Sequence, residues 1–171
     1  RSKTFSDHKK PNQMIKNKAV FFVSVFLAAA LSVHAQRISE KKKARILSEL
    51  EAVFLDNLKT GENLDADRLS ESVDDRPGAG HILNGVFFAS FDPILQQTRS
   101  NMRGLKSLQY EIQNKRVTVI ANDAAIVAVS GKATAESTSG QRFKNSFAWT
   151  FVYRKKAGQW KVIHSHQSVP R

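Results

Sequence analysis

Apolar positions change their spacing near Gly104, and that change divides the chain into two kinds of structure. From Ser39, Ile46, Leu50, Val53, Phe54 and Leu58 recur at three- and four-residue steps, with Lys and Glu among the remaining positions. This is the stripe of one long amphipathic helix. Thr60-Gly61 closes it. Asp65, as an N-cap, with Leu69 and Val73 one turn apart, predicts a second and shorter helix. Arg76-Pro77-Gly78-Ala79-Gly80 then marks a loop. Phe87, Phe88, Phe91, Ile94 and Leu95 make another apolar stripe, which predicts a third helix bent near Asp92, because Pro93 removes a backbone donor.

Beyond Gly104 the period is two. Leu108, Tyr110 and Ile112 alternate, Val117 and Val119 follow, and Asn122-Asp123 turns the chain. Ala125, Val127, Val129 and Gly131 alternate up to the next turn at Ser139-Gly140. Phe147, Trp149, Phe151 and Tyr153 then point one way, and Ala148, Thr150, Val152 and Arg154 the other. Lys156-Ala157-Gly158-Gln159 leads into a last strand, Trp160 to Ser168. Helices first and an antiparallel meander second predict an α+β fold, with three helices gathered on the concave face of a bent sheet.

The 171 residues fit one domain plus an appendage. Residues 1–13 precede Met14 and are left out of the fold. Lys16 and Lys18, the apolar run Ala19 to Val33 and the small-residue site Val33-His34-Ala35 have the order of a signal peptide over 14–35, cleaved after Ala35. An uncleaved anchor competes, but the run covers about 15 residues where a spanning helix needs roughly 20. That leaves 36–171 as a single domain, secreted or periplasmic, with no membrane contact in its mature form. Such an address permits disulfides, yet the chain has no Cys, so stability must come from a packed core.

The formal charge is +12; residues 1–35 carry six Lys/Arg and one Asp, so +7 remains on the mature part. Lys41-Lys42-Lys43 and Arg154-Lys155-Lys156 are its basic clusters, and neither is interleaved with exposed-looking aromatics. They read as solvated faces, with no nucleic-acid partner expected.

The ending "TFVYRKKAGQWKVIHSHQS", with Trp160, His164, His166 and Ser168 after a basic turn, resembles the SnoaL-like branch of the nuclear transport factor 2-like superfamily. It is also similar to the association (hub) domain of calcium/calmodulin-dependent kinase II. "NDAAIVAVSG" stands where that family has an Asp followed by an apolar strand, and the resemblance covers roughly residues 38 to 169. It implies a cone, a bent sheet wrapped around helices and open at one end, with an internal pocket. The family includes isomerases, cyclases, dehydratases and assembly hubs, so the resemblance does not choose a reaction.

Residues two apart on a strand share a face, so Trp160, Val162, His164, His166 and Ser168 are expected on the concave side, and Lys161, Ile163, Ser165 and Gln167 on the reverse. Trp149, Phe151, Tyr153, Val127 and Val129 join the concave set as ligand-binding candidates, with Trp160 and His164. They either line a cavity or fill the core.

His164 and His166 are either hydrogen-bonded residues at the end of a core strand or groups that touch a ligand. Two imidazoles at this spacing could reach one zinc ion, but a third ligand is needed, and the sequence brings neither His81 nor Asp92 visibly close; no metal is expected. Catalytic candidates are His166, His164, Asp92 and Tyr110, with Asp56 weighed beside them. Ser130 and Ser168 have no acid–base partner pattern.

The reverse face, with Ala148, Thr150, Val152, Ile163 and Ser165, suits pairing with a second copy, so a homodimer is expected. The leading expectation is a pocket for a small, partly apolar molecule with no cofactor. The alternatives are a cofactor-independent isomerase or dehydratase using a pocket His or Asp, and a structural dimerisation module with a filled cone.

Overall fold

The computed structural model describes residues 38–169; the segment 1–13, the leader 14–35 and its cleavage site lie outside the described residues. Helix α1 spans Glu40–Glu62, with the Ser39 hydroxyl accepting from Lys42 N. Its Ile46, Leu50 and Phe54, each one turn from the next, are buried against the sheet. Helix α2, Ala66–Glu71, starts where the Asp65 carboxylate accepts from Arg68 N at 3.0 Å. Among the described residues no helix is long and apolar enough to cross a membrane.

The segment expected to begin a bent third helix forms a hairpin: β1, His81–Leu83, and β2, Val86–Phe88, pair antiparallel. Asn84 and Gly85, both at positive φ, make its two-residue turn. Asn-Gly between apolar runs is a strong hairpin signal, and the clustered phenylalanines had masked it. Helix α3 starts only at Asp92 and runs unbroken to Arg103. Pro93 lies in its first turn, where a missing N–H costs nothing, so it opens the helix and does not bend it.

Four long strands follow: β3, Leu105–Ala121; β4, Ala124–Ser137; β5, Arg142–Lys156; and β6, Gln159–Ser168. The sheet order is β2-β1-β6-β5-β4-β3, with only β1 and β6 parallel. Register shifts interrupt β3–β4 at three places and β5–β6 at one, and each adds local bend and twist. At Gly131 an added Cβ would lie 3.1 Å from the Glu111 carbonyl carbon and nearer still to its oxygen, so only glycine fits beside that kink. The result is an open, curved sheet with the helices against its inner side, the expected α+β cone.

The shift in β5–β6 matters most for the site. Val152 pairs with His164 and Tyr153 with Val162, so Ile163 is an extra residue with no partner of its own. Trp160 and Val162 are buried, as alternation predicts, but past the bulge the inward positions are Ser165 and Gln167, opposite Phe151 and Trp149. His164, His166 and Ser168 pair with Val152, Thr150 and Ala148 on the other face. The continuous histidine stripe expected on the concave side is therefore corrected to a broken one.

The interior has two parts. Along the middle of α1, Leu50 and Phe54 pack with Val127, Val129, Phe147, Tyr153, Trp160 and Val162 into a solid core, whose edge at Phe54, Tyr153 and Val162 borders an open space. Glu49 ties α1 to this half, accepting from Trp160 Nε1 at 2.9 Å and Lys155 Nζ at 2.5 Å. A smaller cluster, Ala66, Leu95 and Met102, joins α2 to α3. The space between these clusters is not filled.

Candidate binding cavity

That space is a cavity of about 200 Å³ walled by the C-terminal half of α1, by α2 and α3, and by β3, β5 and β6. An engineered apolar cavity of about 150 Å³ takes benzene, so this one holds a single ring with a substituent. None of its lining residues carries a charge. Trp149, Phe151, Tyr153 and Tyr110 form its aromatic wall, with Leu58 and Ile94 from the helices. Tyr110 meets Trp149 edge-on at 5.3 Å between ring centroids. The Tyr110 ring lies over α1 at Gly61, where an added Cβ would come within 3.1 Å of the ring.

The polar groups on this wall are neutral. Burial, with a smaller contribution from the Glu62 charge, pushes the Tyr110 phenol up to about 12. Burial pushes Tyr153 up to about 12 as well, against a hydrogen bond from Asn57 Nδ2 to its oxygen at 3.4 Å. Both phenols therefore keep their protons at neutral pH. Ser165 and Gln167 add a hydroxyl and an amide on β6, with the Gln167 amide donating to Ser165 Oγ at 3.3 Å.

Behind Ser165 lies a chain of contacts that joins three distant parts of the sequence. The His81 ring, fully buried, has Nδ1 3.0 Å from Ser165 Oγ and Nε2 2.8 Å from Asp75 Oδ1. The register of β1 on β6 sets His81 opposite Ser165. Asp75 is carried there because the strand-like segment after α2 bonds to β6, with Asp74 N donating to the Val162 carbonyl. Its second oxygen, Oδ2, accepts from Phe91 N at 2.7 Å, at the start of α3. Phe91 packs edge-on against the imidazole at 5.4 Å between centroids, and the His164 ring lies nearly parallel to it at 6.4 Å.

Other expected site residues lie elsewhere. Val127, Val129 and Trp160 belong to the solid core and not to the cavity wall, because the packed half of the cone covers them. Asp92 is exposed in the first turn of α3. Asp56 is exposed and paired with Arg68 at 2.8 Å. His166 is exposed in an outer groove with Ala128 and Thr150, and His164 donates Nδ1–H to the Gly80 carbonyl at 2.8 Å. The described residues gather no group of three potential metal ligands. Sequence reasoning set His81 aside and placed Ser165 on the reverse face. The Asn84-Gly85 turn was the signal that could have brought His81 to a sheet edge.

A bent sheet closing over helices around an aromatic cavity defines a protein of the NTF2-like cone class. The chain belongs to the calcium/calmodulin dependent protein kinase II association domain family, whose family model matches residues 50–170. Among solved structures it is similar to a Xanthomonas campestris protein assigned to that same association domain, at 19% identity and TM-score 0.62, covering 71% of this chain and 86% of that one. An NTF2-like family protein from Streptomyces avermitilis assigned as a dehydratase gives 16% identity and TM-score 0.59, over 72% and 95% of the two chains. A hexachlorocyclohexane dehydrochlorinase from Novosphingobium barchaimii gives 13% and 0.61, over 78% and 92%. At these identities the likeness is one of fold. Comparison with curated proteins gives no match.

Proposed function

We propose that the mature protein is exported and binds one small, uncharged, partly apolar molecule in the cone cavity. The observation that carries this reading is the wall itself: mostly apolar, rich in aromatic rings, with neutral polar groups such as those of Tyr110, Tyr153 and Ser165 and no charged side chain. An ion would be left there without a counter-charge in a low-dielectric site, which costs several kcal/mol or more. A neutral ring loses little on entering and gains contacts with Trp149 and Phe151.

Export rests on the leader pattern over 14–35. A homodimer is supported by the outer sheet face, where Ala128, Ser130, Ala148 and Thr150 are small and uncharged, and by the name of the family. Ser165, expected on that face, lies on the cavity side of β6.

A panel of benzyl alcohol, phenol and indole, with benzoate and benzylamine as charged counterparts, tests the binding reading through tryptophan fluorescence. Saturable binding of a neutral member, weakened at least 10-fold by a cavity-filling Thr98→Trp, is expected. Equal binding of benzoate and benzylamine would refute the uncharged site.

The isomerase or dehydratase alternative draws support from the dehydratase and dehydrochlorinase among the structural neighbours. His166 and Asp92 lie outside the cavity, so this reading takes His81, acting through Ser165, as its proton carrier.

A further inference from the structure

We propose that Asp75, His81 and Ser165 make Ser165 a base-activated nucleophile, and that the cavity accepts small neutral esters whose acyl group Ser165 takes up. The inference rests on the cavity being a small-molecule site, as argued above, and adds a reaction to it.

Hydrogen positions follow from the partners. The Asp75 carboxylate can only accept, so the proton on the ring sits at Nε2 and is donated to Oδ1 across 2.8 Å. Nδ1 is then the bare nitrogen, and it faces Ser165 Oγ at 3.0 Å. The hydroxyl proton of Ser165 is thereby committed to His81, and with one Oγ lone pair accepting from Gln167 Nε2 the other remains for an electrophile. This is the donor order that a serine nucleophile requires: acid, oriented imidazole, hydroxyl.

Two features set the arrangement apart from a core hydrogen bond. Ser165 lies on the cavity wall and is only 1% exposed, so it adjoins the cavity while being shielded from bulk water. The ring is held through both nitrogens and by the edge of Phe91, and Asp75 is held by Phe91 N, so the base keeps one orientation.

The step balances without any further reagent. Oγ bonds to the ester carbon as its proton passes to His81 Nδ1, and Asp75 stabilises the imidazolium that forms. The carbonyl oxygen takes the electron pair, with Gln167 Nε2, 3.3 Å from Oγ, as the side-chain donor at that spot. Collapse breaks the bond to the alkoxy oxygen, which leaves as an alcohol with the proton from His81. Water then attacks the acyl-serine by the same route and restores Ser165.

Phenylmethylsulfonyl fluoride, a neutral single-ring reagent, is the probe. Attack by Ser165 forms an S–O bond, breaks S–F and releases fluoride, which leaves a stable adduct. Mass spectrometry of the full-length protein is expected to show one adduct, and fragmentation of the C-terminal peptide to place it on Ser165 and not on Ser168. Ser165→Ala should abolish it, and His81→Gln and Asp75→Asn should each slow it at least 10-fold while the fold persists by circular dichroism. If either variant unfolds, Ser165→Ala still decides the matter. An adduct that persists in Ser165→Ala, or its absence from wild-type protein that binds the neutral panel saturably, overturns the nucleophile and leaves the binding reading standing. Failure of both labelling and neutral binding overturns both.

Discussion

Replacing Glu49 by Gln removes a charge from the contact that holds α1 on the packed half of the cone. The carboxylate accepts from Lys155 and Trp160 through one oxygen and from Arg45 through the other, at 2.5, 2.9 and 2.9 Å. These donors, Lys155 first and then Trp160 and Arg45, hold the carboxyl at about 2, against an ordinary value of 4.5. A carboxyl held so low contributes at most about 3 kcal/mol. Because 26% of the side chain still meets water, screening lowers the expected contribution to about 1–2 kcal/mol.

Gln keeps an oxygen for Trp160 Nε1, so the substitution tests the charge and not the shape. The sign follows from proton binding. The unfolded chain takes up a proton at Glu49 near pH 4.5, whereas the folded chain resists until about pH 2. Stability from this group is therefore complete above the unfolded value and is lost as the pH falls through that window. Urea unfolding followed by tryptophan fluorescence at pH 7, 5 and 3 should find Glu49→Gln weaker by about 1–2 kcal/mol at pH 7, with the gap shrinking at pH 3. A gap that does not change with pH, or none at pH 7, would refute the assignment of this stability to the Glu49 charge.

For the dimer, Ala148→Arg on the outer face should shift the mass in light scattering from two copies to one at micromolar protein, with the melting transition retained. A wild-type monomer under the same conditions would defeat the pairing. For export, the mature protein recovered outside the cytoplasm should begin at Gln36; recovery with the 14–35 segment still attached would favour the anchored form.

The long helix and the meander were legible because their periods are sustained: Ile46, Leu50 and Phe54 lie on one turn spacing, and Phe147 to Tyr153 keep strict alternation. Of the aromatics assigned to the cavity, Trp149, Phe151 and Tyr153 line it and Trp160 does not, while Tyr110, a catalytic candidate, does. Val127 and Val129 share the same face, but alternation fixes a face and not a depth along the strand. The hairpin at Asn84-Gly85 was lost because three short-range apolar residues fit a helical stripe as well as a strand. The Asp75–His81–Ser165 chain could not be read at all, since its members lie 6 and 84 positions apart and meet only through the parallel pairing of β1 and β6.

The single unpaired residue Ile163 sets the parity of everything after it on β6. The visible HSHQS signature would offer two imidazoles to a ligand on an even count, and offers a hydroxyl and an amide on the count this chain uses. Two relatives with the same five letters but without that extra residue would present different chemistry to the same chamber. Transfer of roles between them is sound only after the strand positions have been counted in three dimensions.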